Sequence, residues 1–294
     1  MERFKRSWEL AKQSLAVLRS NPQLAAFPII SGIASIVVSI SFILPVFLTL
    51  QAGGAFKNPE NFHASPWHYL VSFAYYLVSY FVVVFFNVGL IHCANETLCG
   101  RNATFGDGIN MAIKRLGPIL GWSLLAATVG TVLKAVSERM GIVGQIVIAL
   151  IGGAWNIVTF FTLPMLALEG VGPIEAVKGS WNTIKKVWGE AIIGNVGINT
   201  AIGIMGLIPI PIIVLSAFSQ SFPIIGIAVV VSILFWIALG TIGACLTGIY
   251  NTATFHYART GQVPAGFDEG AIQHAFMPKP DSTASKISNY IRPK

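Results

Sequence analysis

His92 and Glu96 stand four positions apart, which puts both on one face of a helix. His256 falls near the same end of a later apolar segment. With Asn87, Cys93 and Asn95 these residues are the densest polar group in otherwise apolar surroundings. An imidazole beside a carboxylate can relay a proton, and with a further ligand can hold a metal. Ionisable groups at membrane depth are functional candidates by default. The plainer reading puts the group at headgroup level, where polarity costs little. No Cys-x-x-Cys pair accompanies it, and there is no phosphate-binding glycine loop, GxSxG elbow or HExxH pair. The chain is therefore expected to be non-enzymatic, with no catalytic residue, metal or cofactor assigned.

A second polar set is more dispersed. Asn156 stands with Thr159 and Thr162, and Asn251 with Thr252 and Thr254. Asn87 precedes Gly100, and Asn156 precedes Gly170, by nearly equal intervals. If the segments carrying Asn87, Asn156 and Asn251 meet, their amides line a polar path. The preferred reading is that buried Asn and Thr bond across helices as packing glue.

Whatever these residues do, apolar helices must position them. The chain has 294 residues, 54% hydrophobic and 11% charged, against about 25% charged in soluble domains. No Asp, Glu, Lys or Arg occurs in 20–56, 61–95, 116–133, 140–168 or 191–258. A crossing needs roughly 20 apolar residues. The last stretch accommodates two, turning at Ser216–Pro223. Continuous apolar runs exclude the alternating pattern of a β-barrel. The expected fold is all-α: a polytopic membrane bundle of six spans near 24–50, 67–95, 116–133, 142–168, 191–215 and 224–257. Pro209 and Pro211 oppose a straight fifth span. A hinge or half-helix is one reading, and the outer end of a short span is the preferred one.

Sixteen of the 19 Lys and Arg fall on one side of this arrangement, leaving Lys57, Lys134 and Arg139 on the other. The positive-inside rule then puts both termini in the cytoplasm. The net charge of +7 reflects topology and anionic headgroups, not nucleic acid. The long first run, with Pro28 and Pro45, reads as an uncleaved helix. Cys93, Cys99 and Cys245 lie in or beside the cytoplasmic ends of spans, where a structural disulfide is not expected.

A repeat runs through the basic segments. Residues 1–20, 103–116 and 173–188 each carry an apolar stripe at helical spacing beside Lys or Arg. Such helices either lie in the interface or pack on neighbouring spans. Lys114, Arg115, Lys185 and Lys186 are the candidate headgroup ligands. Gly100, Gly170 and Gly261 punctuate the ends of spans two, four and six, as left-handed caps do. The organisation expected is an interfacial helix at 1–20, a membrane domain at 21–257 and a cytoplasmic tail at 258–294. Three parallel units cover about 1–100, 101–170 and 171–261. Gly32, Ser35 and Ser39, Gly117 and Gly121, and Gly240 and Ala244 sit at spacings that permit close helix contact, in a compact bundle or a homo-oligomer.

Three segments carry a family resemblance: Arg6–Gly32 (RSWELAKQSLAVLRSNPQLAAFPIISG), Ala154–Trp181 (AWNIVTFFTLPMLALEGVGPIEAVKGSW), and Tyr257–Pro264 (YARTGQVP) followed by Ala275-Phe276. Together they resemble an uncharacterised family of prokaryotic integral membrane proteins, a domain of unknown function. The resemblance implies a polytopic helical fold in a prokaryotic plasma membrane and carries over no site residue. The function expected first is lipid contact, assembly or organisation of the inner leaflet, with membrane lipids as partners. The alternative is a channel or transporter with a polar path between even-numbered spans, and the third is a membrane enzyme.

Topology makes the first prediction. In a cysteine-free background, single cysteines near Lys57, Lys134 and Ser219 label from outside, and those near Arg101, Lys178 and Lys279 from inside. Opposite-side labelling of Arg101 and Lys178 rules out six spans.

Overall fold

The computed structural model describes residues 2–52, 66–185 and 188–267. Lys57, Lys186, Lys279 and the tail from residue 268 lie outside the described residues. No strand occurs among those described. Helices α1 (Glu2–Ser20), α2 (Ala26–Ala52) and α3 (Pro66–Leu98) are followed by α4 (Phe105–Lys114) and α5 (Leu116–Arg139). Span four comprises α6 (Ile142–Val158), the one-turn α7 (Thr162–Pro164) and a π-helix at Met165–Glu169. Then come α8 (Pro173–Ile184), α9 (Trp188–Met205), α10 (Pro209–Phe218) and α11 (Phe222–Thr260).

Six segments are long and apolar enough to cross a membrane: Pro22–Gln51, Trp67–Leu98, Leu116–Arg139, Gly144–Glu169, Asn195–Phe218 and Phe222–Thr260. Their mean hydropathy of 1.7 to 2.7 leaves no polar face for water. Side chains such as Ile33, Leu70, Leu150 and Leu215 are more than half exposed. That is the reverse of a soluble protein and suits hydrocarbon.

Packing is concentrated at one end. In α3 the residues from Val84 to Leu98 supply most of the buried core, whereas Trp67, Tyr69 and Leu70 are exposed. In α11 the buried stretch is Gly243–Phe255, and Phe222, Ile224 and Ile227 are exposed. One core joins α1, the start of α2, α3 and α11 through Leu24, Phe27, Leu90 and Ile249. The other joins α3, α5, span four and α8 through Val88, Ile119, Phe161 and Ile184. Helix α3 belongs to both.

The three amphipathic helices are present and all pack on this end. Helix α4 starts at a capping box: Thr104 Oγ1 accepts from the Asp107 N–H, and Asp107 accepts from the Thr104 N–H at 2.9 Å. It buries Gly108 and Ala112 and leaves Ile113 exposed. Helix α8 buries Ala176, Ser180, Thr183 and Ile184 and exposes Ile174 and Trp181. The connection after α1 is stitched to the α3–α4 turn. Asn21 Nδ2 donates to Thr97 Oγ1 and to the Ala103 carbonyl, and Gln23 Oε1 accepts from the Phe105 N–H. Gly100, Gly170 and Gly261 all have φ near +70°, the left-handed cap expected of each.

Two spans are interrupted. Span four turns at Thr159–Phe161, and span five breaks at Gly206–Ile208 before restarting at Pro209. Pro209 opens α10 after the break, in a first helical turn where its missing N–H has no partner to lose.

The small residues behave differently from the spacing argument. A Cβ at Gly32, Gly117 or Gly240 would meet no atom within 4 Å, and only Gly121 meets a neighbour, Pro173. The tight approach is elsewhere, between Gly89 and Gly108. A Cβ on Gly108 would lie 2.3 Å from the Phe27 ring and 2.8 Å from the Gly89 carbonyl. Gly108→Ala is therefore expected to destabilise the fold by about 1–3 kcal/mol. Gly117→Ala should leave stability unchanged or raised, and thermal unfolding in detergent compares the two.

Candidate functional site

At the end of α3, His92 and Glu96 line a cavity of about 290 Å³ with Asn102, Asp107, Asn110 and Lys114. His256 is not among its lining residues. Glu96 is held by Arg101 through a forked ion pair, with Nη2 2.8 Å from Oε1 and Nε on Oε2. The carboxylate raises the Arg101 guanidinium further above its ordinary range, and Asp107 is lowered by hydrogen bonds from the Thr104 N–H and hydroxyl. Asn95 is half-buried one turn from Cys99, whose N–H its carbonyl accepts. Among the described residues no group of three or more His, Cys, Asp or Glu is placed to hold a metal ion. The structure brings His92 and Glu96 together, and sends Asn87 to a different cavity.

Of the candidate headgroup ligands, Lys114 and Lys185 are exposed, and Lys185 lies 5.3 Å from the centre of the Trp181 ring. The Arg115 guanidinium is packed against Gly170, where any Cβ would overlap it. It faces the carbonyl end of the π-helix, which favours a cation. Beside it, Glu169 pairs with Arg259 of α11.

The asparagines form the more developed site. A cavity of about 390 Å³ is lined by Asn87 of α3, Asn199 and Ile202 of α9, and Gly240, Gly243, Thr247 and Asn251 of α11, with Phe160, Leu163 and Pro164 from the interruption of span four. Asn156 lies in a neighbouring cavity of about 560 Å³ with Asn195, Asn199 and Phe160. Asn199 and Phe160 line both, so the two are adjacent. Asn195 Nδ2 donates to Asn251 Oδ1 at 3.3 Å, and Asn199 Nδ2 donates to both the side-chain and backbone oxygens of Asn195. Asn87 Nδ2 donates to the Val83 carbonyl at 2.9 Å. These bonds leave the second amide atom of Asn87, Asn199 and Asn251, and the whole amide of Asn156, unpaired among the described residues.

The helical rise places Asn87 and Asn251 roughly 14–17 Å from the Leu98 and Thr260 ends of their helices. No charged side chain lines either cavity. Asn195 and Asn199 were missed by attention to even-numbered spans. Their four-residue spacing within a charge-free stretch was the available signal.

Interruption and cavity coincide. The turn at Thr159–Phe161 frees backbone groups, and the Phe161 N–H donates to Ser180 Oγ of α8 at 2.9 Å. Irregular backbone at membrane depth is tolerated where it is buried or lines a cavity.

Residues 67–267 match a family of unknown function, DUF6159. The match runs from the start of α3 to Phe267, more than half of the chain, and the chain belongs to that family. No curated protein matches it.

Asp107 yields a pH prediction. Its carboxyl is lowered in the folded chain, so its capping contribution is complete above the unfolded carboxylate range and is lost as pH falls through the folded value. The melting temperature of the native chain should exceed that of Asp107→Asn at neutral pH. The difference should vanish in acid.

Proposed function

We propose that this member of the DUF6159 family provides a path through the bilayer interior for uncharged, hydrogen-bonding solutes, as a channel or carrier. One observation carries the reading: two adjacent cavities between the spans are lined by five asparagines from four spans and by no charge. Packing glue alone would pair these amides with one another. Here several amide atoms are left facing open volume, where an unmet hydrogen bond costs about 1–3 kcal/mol. A passing hydroxyl, amide or water supplies the missing partner. Interrupted spans at substrate depth are the usual way for transporters to expose such groups. We place the packed end, with the basic helices and both termini, on the cytoplasmic side of a prokaryotic plasma membrane, and read the three helix-hairpin units as repeats about an axis along the membrane normal.

The test is flux. Proteoliposomes mixed with urea or glycerol in a stopped-flow instrument should re-swell faster than protein-free vesicles. Asn87→Leu combined with Asn251→Leu should reduce the protein-dependent rate about tenfold or more. Equal rates with and without protein would overturn the reading.

A second reading is favoured by a separate observation. Ile113 beside Lys114, and Ile174 and Trp181 beside Lys178 and Lys185, remain exposed on helices that already pack on the bundle. These faces suit anionic headgroups, at about 1 kcal/mol for each basic group. Lys114→Gln with Lys185→Gln should weaken retention of anionic lipid by the purified protein by about tenfold or more. Arg115 is kept native in that variant because its guanidinium packs against Gly170.

A further inference from the structure

The asparagine cavity continues sideways. A cavity of about 540 Å³ lies between α2, α3 and α11, and Asn87, Gly240 and Ala244 line both it and the 390 Å³ cavity. Away from those shared residues its walls include Ile29, Ile33, Ile36, Val83, Phe86 and Ile237. Gly32 and Gly240 hold it open, since a Cβ at either would find no neighbour within 4 Å. Neither cavity is lined by a charged side chain.

A single molecule occupying both spaces meets hydrocarbon at one end and unpaired amide atoms at the other. A carboxylate, phosphate or ammonium head would be desolvated between the spans with no counter-charge in either lining, which is strongly unfavourable. Hydroxyl groups carry no such penalty and both donate and accept, so they match amide atoms of either kind. We infer that the two cavities together bind a single-chain amphiphile with an uncharged, hydroxyl-bearing head. The chain lies along α2 and the head sits between Asn87 and Asn251. This rests on the polar cavity of the reading above and names the class of molecule that enters it.

Native mass spectrometry of the purified full-length protein, supplied with equal amounts of 1-monooleoylglycerol and oleate, tests this. The chains are identical and only the head differs. One monooleoylglycerol should be retained roughly tenfold over oleate, and Asn87→Leu with Asn251→Leu should remove that preference. Gly240→Leu, or Gly32→Leu from the opposite wall, should reduce retention about tenfold by filling the groove. Their added side chains project into open volume, and Gly117→Ala, away from the cavities, serves as the unperturbed reference. Equal retention of oleate, or undiminished retention in both leucine variants, overturns the inference. Urea and glycerol flux without monooleoylglycerol retention also overturns it, and leaves the polar path standing. Retention without flux supports the amphiphile and overturns passage of free solutes. Absence of both removes both.

Discussion

Inside a bilayer no water is available to satisfy a backbone N–H or C=O, so every interruption of a spanning helix must be met by another part of the protein. The two breaks obey this in different ways. The Phe161 N–H freed in span four is taken by Ser180 Oγ of α8, and the Gly206 carbonyl freed in span five accepts from Trp236 Nε1 of α11 at 2.9 Å. The amphipathic helix α8 therefore does more than cover an apolar surface. It stabilises a turn that a continuous helix would not need, and that turn places Phe160, Leu163 and Pro164 on the cavity wall.

The polar cavity lies beside the packed end. Toward the end with the left-handed glycines, α3 is tightly enclosed by α4, α11 and the start of α2, through the Gly89–Gly108 approach beneath Phe27. Toward the other end the spans present apolar side chains outward. Asn87 and Asn251 lie within the packed stretches of α3 and α11 yet are only half-buried, and Asn199 is exposed, so these helices share a cavity and leave amide atoms free.

Much of this architecture was legible in the sequence because lipid imposes simple rules. Charge-free length located the six spans to within a few residues at most ends, glycine at 100, 170 and 261 marked the left-handed caps, and apolar stripes beside basic residues located α1, α4 and α8. The site was less legible because lateral position is not a one-dimensional property. Asn87 and Asn156 stood out by their matching intervals to Gly100 and Gly170, but nothing in those intervals told that α9 would bring Asn199 beside Asn87 and Asn195 against Asn251. His92 and Glu96 looked more chemical than they are placed to be, since the nearby Arg101 takes up the carboxylate. The Thr104–Asp107 capping box was readable from its spacing and was passed over. Small residues were the least specific signal. Spacing alone cannot distinguish a glycine that admits a neighbouring backbone, as at Gly108, from one that keeps space empty, as at Gly240.

That last distinction has an evolutionary side. Within a helix, alanine is favoured over glycine by about 1 kcal/mol, and at position 240 no neighbour opposes the exchange. Drift under selection for folding alone would replace Gly240 readily and hold Gly108 fixed. Across related lineages, persistence of the second records the demands of assembly. Persistence of the first would record the history of whatever the open space has been used for.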